Sequence, residues 1–262
     1  MPASLEQIVA ATRRKLAESL RAASLPELER QAESHSPRGF RRALKDHHGP
    51  AIIAELKKAS PSRGLIRADF APAMLAAELE SAGATALSVL TDAEFFQGSL
   101  ENLKLASAAA NLPCLRKDFI VDEFQLLEAR AHHADAILLI VAALSQAELE
   151  KLAAHARAYN LDVLCEVHDE KELQRAIAAG CDLIGVNSRD LRTFTVNLQT
   201  AFRLAALMPR DVVAVAESGI QTGKDIARLK TAGYQAFLIG ESLMKAPSPA
   251  EALRTLKAQA EG

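Results

Sequence analysis

The chain has 262 residues, with 31 basic against 33 acidic side chains and a formal net charge of −2. That near balance excludes a general electrostatic attraction to nucleic acid or acidic membranes, while leaving room for a small local anion site. A composition of 49% hydrophobic and 24% charged residues is ordinary globular material, and the length suits two small domains or one α/β barrel. No stretch is long and apolar enough to span a bilayer, and Met1–Leu16 lacks a signal-peptide core. Cys114, Cys165 and Cys181 are odd in number, widely spaced and set in or beside apolar runs. They read as buried small hydrophobes, without a disulfide framework or metal motif, in a reducing cytoplasm.

In chain order, residues 3–33 are expected to be helical, with Leu5, Ile8, Val9, Leu16 and Leu20 at mostly three- or four-residue spacing. Ser4, with Gln7 three residues on, predicts a capping box. A polar stretch from Glu33 to Pro50, broken by prolines and glycines, reads as a linker. From Ala51 the rhythm changes to short apolar runs alternating with amphipathic stretches. The runs are Ala51–Leu56, Thr85–Leu90, Pro113–Arg116, Asp135–Ile140, Asp162–Val167, Asp182–Val186, Val212–Ala216 and Ala236–Ile239. Helices are expected over 72–82, 99–110, 122–133, 145–158, 169–179, 197–207, 222–232 and 248–260. Glycine after Ala82, Ala179 and Ala232 suits helix C-caps. Eight strands alternating with eight helices in about 210 residues predict a (β/α)₈ TIM barrel, residues 51–262, behind an N-terminal helical extension and linker, residues 1–50. A doubly wound open sheet is the alternative; no G-x-G-x-x-G follows the first run, which weakens its dinucleotide-binding version.

In such barrels chemistry gathers at the C-terminal ends of the strands. Read there, the runs supply Glu55 and Lys57, then Arg116-Lys117-Asp118, Glu166 and His168, Asn187-Ser188-Arg189, Glu217-Ser218-Gly219, and Gly240-Glu241. Glu55 and Lys57 are two apart and so share a face. Charge at the end of a buried strand is costly and often kept for chemistry. The glycines of the last two loops, Gly219 and Gly240, suggest a phosphate held by backbone N–H groups. Arg116-Lys117-Asp118 also reads as a solvated charge cluster, and Glu166 as a rim carboxylate paired with Lys57 or Lys117. His168 reads better as a rim or capping residue than as a catalyst. His47-His48 and His132-His133 lack metal-ligand spacing and read as surface. Phe96 and Phe119 follow the second and third runs, where aromatic side chains can hold a flat ligand.

These segments resemble the indole-3-glycerol phosphate synthase family. The resemblance is carried by Glu55-Leu56-Lys57-Lys58-Ala59-Ser60-Pro61-Ser62, Phe95-Phe96-Gln97-Gly98-Ser99, Leu115-Arg116-Lys117-Asp118-Phe119, Glu166-Val167-His168, Gly185-Val186-Asn187, Ala216-Glu217-Ser218-Gly219 and Ile239-Gly240-Glu241-Ser242. It implies closure of 1-(2-carboxyphenylamino)-1-deoxyribulose 5-phosphate to indole-3-glycerol phosphate with loss of CO₂ and water, without cofactor or metal. Lys117 then matches the acid, Glu166 the acid/base carboxylate, and Lys57 with Glu55 a second pair; Asn187 and Ser218 join the catalytic set. Ser60, Asn187 and Arg189 match residues near the substrate's carboxylate and hydroxyls. Pro61, Phe96, Phe119, Leu138 and Leu191 would line the aromatic pocket, with Glu217 supporting the catalytic groups. Lys57, Gly219, Gly240 and the backbone of Glu241 would meet the phosphate. Two neighbouring lysines would hold each other's pKa down. Ser188 departs from the second asparagine of many relatives. A monofunctional, monomeric, cytoplasmic enzyme is expected, with a small phosphorylated substrate and no nucleic-acid or membrane partner. An aldolase forming a Schiff base on Lys57 or Lys117, a phosphate-barrel isomerase and a silent binding barrel are the competing readings.

Overall fold

The computed structural model describes residues 3–191 and 193–261. The segment expected as one helix is two, α1 (Leu5–Ala22) and α2 (Leu25–Glu33). The chain turns extended at Ala23 and Ser24, and Pro26 sits in the first turn of α2, where its missing N–H costs nothing. The Ser4–Gln7 capping box forms. The supposed linker contains a further helix, α3 (Phe40–Lys45), whose Phe40 and Leu44 are buried. Six residues with three cations carry too little periodicity to announce it.

The barrel begins with β1 (Ala51–Leu56), followed by a small antiparallel hairpin of β2 (Ala59–Ser60) and β3 (Gly64–Leu65), and then α4 (Pro72–Ser81). Next come β4 (Ala86–Leu90), α5 (Ala93–Phe96), α6 (Leu100–Ala109), β5 (Cys114–Lys117), α7 (Phe124–Ala131) and β6 (Ala136–Ile140). A 3₁₀ turn (Val141–Ala143) precedes α8 (Gln146–Ala158), β7 (Asp162–Val167), α9 (Glu170–Ala178) and β8 (Leu183–Asn187). The chain ends with α10 (Gln199–Ala205), β9 (Val213–Glu217), α11 (Gly223–Thr231), β10 (Ala236–Ile239), α12 (Glu241–Lys245) and α13 (Pro249–Glu261). All strands but β2 and β3 pair in parallel and close in the order β1-β10-β9-β8-β7-β6-β5-β4. Each predicted run lies within a residue of its strand. The largest consequence is at β5, which includes Lys117 and leaves out Pro113. Gly83, Gly180 and Gly233, all at positive φ, follow their helices as expected.

Strand alternation sorts the side chains into two layers. Ala51, Ile53, Leu115, Ala136, Leu138, Leu164, Leu183, Val213, Val215, Ala236 and Leu238 form the core inside the barrel. The residues between them, such as Ile52, Cys114, Ile137, Cys165, Ile184, Ala214 and Phe237, pack against the helices. Two residues beyond an inner position is again inward. The upper end of the interior is therefore ringed by Glu55, Lys117, Glu166, Asn187 and Glu217.

The extension closes the other end. Phe40 and Leu44 of α3 join the inner core beside the starts of the strands. The approach to α3 is tied to aspartates that begin strands. Asp135, fully buried, accepts from Arg38 at 2.6 and 3.0 Å, from the Arg38 backbone N–H at 2.6 Å and from Cys114 N–H at 2.6 Å, with His35 at 3.1 Å. Asp162 accepts from Arg41 N–H at 2.8 Å, and Asp182 pairs with the Arg41 guanidinium at 3.0 Å. α1 meanwhile crosses the C-terminal face: Lys15 pairs with Glu94 at 3.1 Å and Arg13 with Glu148 at 3.0 Å.

Candidate active site

A cavity of about 540 Å³ opens at the C-terminal end of the strands, within the range of small-molecule sites. Its wall contains the sequence-predicted residues: Glu55, Lys57, Ser60 and Pro61 after β1; Phe96; Lys117 and Phe119; Leu138; Glu166; Asn187, Arg189 and Leu191; Glu217, Ser218 and Gly219; and Gly240 and Glu241.

The charged floor is tightly coupled. Lys117 Nζ lies 3.0 Å from Glu166 Oε2 and 3.5 Å from Glu217 Oε2. Lys57 Nζ donates to Glu55 Oε1 at 2.5 Å. Burial alone would lower the Lys117 pKa, but the carboxylates of Glu166, Glu217 and Glu55 outweigh it and raise it. The expected mutual depression of two lysines is therefore overturned for Lys117: carboxylates set its charge. Burial raises the carboxyl pKa of Glu166, but Lys117 and then His168 more than reverse that and hold it well below the usual range. Glu217 goes the other way, to about 8, because burial and the neighbouring Glu166 charge outweigh attraction to Lys117. Of the two, Glu217 is the carboxyl that takes up a proton more readily. Space for these groups comes from glycines. A β-carbon at Gly185 would overlap Glu217 Oε1, and one at Gly240 would overlap Glu55 Oε1.

The aromatic and cationic ends are distinct. Phe96 and Phe119 lie with ring centroids 6.2 Å apart, tilted by 38°. At the opposite end Ser218 and Gly219 adopt successive left-handed conformations, φ 63° and 82°. A β-carbon on Gly219 would run into Val196. The Glu241 carboxylate does not stand against the site as a bare charge. It pairs with Lys245 at 2.6 Å, Arg63 at 3.1 Å and Arg189 at 3.6 Å.

Several residues differ from their sequence reading. Arg116 points outward into the helix layer, buried against Asp118 at 3.1 Å and Glu128 at 3.0 Å, so it is neither solvated nor at the mouth. His168 is not a bystander: its ring touches Glu166 at 3.4 Å and Glu172 at 3.0 Å. Ser188 lies behind the wall, its N–H donating to the Glu217 carbonyl at 2.9 Å. Pocket residues that sequence reasoning missed are Leu5 and Ile8 of α1, Arg63, Phe194 and Lys245. Only Arg63, in the loop after β1, carried a signal that could have found it.

The fold is that of a (β/α)₈-barrel enzyme, and its mouth gathers half-buried lysines against buried carboxyl groups. Residues 5–256 match the family described as indole-3-glycerol phosphate synthase. A protein of that name from Koribacter versatilis (strain Ellin345) is 57% identical over 258 residues, covering 98% of this chain and 99% of the relative. One from Desulfotalea psychrophila (strain LSv54 / DSM 12343) is 47% identical over 253 residues, covering 96% and 97%. The chain belongs to the indole-3-glycerol phosphate synthase family, carboxy-lyases of tryptophan biosynthesis. Solved barrels are alike in fold alone. A thiamine phosphate pyrophosphorylase from Pyrococcus furiosus superposes with TM-score 0.60 at 15% identity, over 80% of this chain and 95% of that one. The KGPDC of Streptococcus mutans gives 0.61 at 13%, over 82% and 98%.

Proposed function

We propose that this chain makes indole-3-glycerol phosphate from 1-(2-carboxyphenylamino)-1-deoxyribulose 5-phosphate by acid/base catalysis centred on Lys117. The observation that carries the reading is the Lys117 ammonium held between Glu166 and Glu217 at the cavity floor, between an aromatic end and a cationic one. Lys117 protonates the ketone oxygen as the aromatic carbon bearing the carboxylate attacks the carbonyl carbon. The C–carboxylate bond then breaks to release CO₂. Protonation of the new hydroxyl lets it leave as water, and removal of a ring-side proton by Glu166 restores aromaticity. Lys57, oriented by Glu55, serves the dehydration or holds the phosphate.

Pro61, Phe96, Phe119, Leu138 and Leu191 enclose the aromatic ring. Ser60 and Asn187 meet hydroxyls and carboxylate. The phosphate lies by Ser218, Gly219, Gly240 and the Glu241 backbone, with Arg63, Arg189 and Lys245 supplying positive charge. Residues 51–262 are the catalytic unit and 1–50 its extension. The chain works as a monomer in the cytoplasm: exposed large apolar residues such as Leu20, Leu65, Met74, Leu105 and Leu207 sit on separate elements, and all three cysteines are free and buried.

Metal-stripped protein given this substrate should develop indole fluorescence. Lys117→Ala should lose about 10²–10⁴-fold in turnover, the usual worth of a positioned acid, while still binding substrate. Wild-type turnover in that variant removes Lys117 from the role. A borohydride-trapped adduct on either lysine would favour the Schiff-base reading instead.

A further inference from the structure

The reading above gives Glu166 a proton to move, but its carboxylate has a second neighbour that reading does not use. His168, half-buried, directly follows β7, with Nε2 3.4 Å from Glu166 Oε1 and Nδ1 3.0 Å from Glu172 Oε2. Nε2 makes no hydrogen bond among the described residues, so its contact with Glu166 is one of charge at ion-pair distance. Glu172 is itself fixed by the start of α9. Its backbone N–H donates to the N-cap Asp169 side chain at 2.9 Å, and its carboxylate accepts the His168 backbone N–H at 2.8 Å. The sequence His168-Asp169-x-x-Glu172 thus makes a helix start that also grips the ring.

We propose that His168 is a positioning residue for Glu166, an imidazolium clamped by Glu172 that holds Oε1 so that Oε2 faces Lys117 and the cavity. The argument is one of flanking charge. Nδ1 is hydrogen-bonded to Glu172 and Nε2 lies within ion-pair distance of Glu166, so carboxylates flank the ring on both sides and favour its doubly protonated, cationic form. The charges acting on the ring are Glu166 on β7 and Glu172 on α9, and together they overcome burial and raise its pKa to about 10. The 3₁₀ turn packed against β7 and α9, Val141–Ala143, has no ionisable side chain. Arg175 of α9 is engaged with the Val141 and Leu144 carbonyls. Behind Glu166 stand Lys117 from β5 and Glu217 from β9. Two cations on two different oxygens fix both the charge and the rotation of one carboxylate, which a single lysine cannot do.

This rests on Glu166 being catalytic, so Glu166→Gln is the control; undiminished turnover there overturns both ideas. With Glu166→Gln inactive, the clamp is tested by His168→Gln and Glu172→Gln and by ¹⁵N-histidine NMR of the unaltered protein, the His168 signal being assigned by its loss in His168→Gln. The His168 ring should show both nitrogens protonated at pH 8. His168→Gln should lower kcat about 10- to 100-fold, the scale on which a misplaced catalytic group acts, with KM little changed. The acidic limb of the kcat–pH profile should move to higher pH, because a carboxylate that loses a neighbouring cation is easier to protonate. Glu172→Gln should move kcat and the limb the same way by less, and it carries the kinetic test where His168→Gln does not fold. A neutral His168 ring at pH 8, or variants that melt earlier but keep wild-type kcat and acidic limb, would overturn the clamp while leaving Glu166 in place.

Discussion

At the scale of single residues, the site is a set of inward-facing strand ends for which glycines leave room. Gly185 faces inward on β8, paired with Val215 two residues before Glu217, and has no room for a side chain because the Glu217 carboxyl occupies that volume. Gly185→Ala should therefore displace Glu217 from Lys117 and lower kcat by about tenfold or more, with the barrel still folded. Turnover of Gly185→Ala beside its circular dichroism checks this, and unchanged kcat would free Glu217 from any role. Much at this scale was legible in sequence. A period of two placed Glu55 and Lys57 on one face, and they pair. The same rule, anchored one residue differently, decides between Arg116 and Lys117. Sequence could not fix that anchor, because Pro113 and Cys114 are both acceptable first residues for a short strand. His168 sits at the helix start, as read, but only half its contacts were legible: Glu172 was visible four residues on, whereas Glu166 reaches it only through strand geometry.

At the scale of elements, the eight barrel strands and the caps that separate them were readable, since each rests on a local pattern of apolar runs and glycine stops. The extension was not. α3 is six residues long, and its meaning lies in Phe40 and Leu44 plugging a barrel end that local pattern cannot see. Its tether is the buried Asp135 carboxylate. Burial would raise the pKa of Asp135, but hydrogen bonds from His35 and Arg38 outweigh this and lower it, so it stays charged. Arg38→Ala would leave that charge buried without its main partner and should destabilise the protein by about 3–5 kcal/mol, readable as a lowered urea midpoint. A loss near zero would make the tether ornamental.

At the scale of the whole molecule, the active-site charges shape stability against pH. Glu217 has a folded pKa of about 8 against an ordinary 4.5, and His168 about 10 against 6.5. Both are raised, so in these windows the folded state holds protons that the unfolded chain has released. Their contributions are complete below the ordinary values and fade as pH rises through the folded ones. Asp135 and Glu166, held low, lose theirs only in acid. The urea midpoint should therefore be higher at pH 6 than at pH 9, and Glu217→Gln should flatten that slope. A midpoint rising toward pH 9 would contradict the raised pKa of Glu217. The tether of the extension also has a temporal side. Arg38 meets a partner 97 residues away, and Arg41 meets partners 121 and 141 residues away. Loops of that length are slow to close. A ribosome delivers this segment well before its partners at the starts of β6, β7 and β8. The ties that hold α3 over the lower end of the barrel therefore cannot form until those later strands are made.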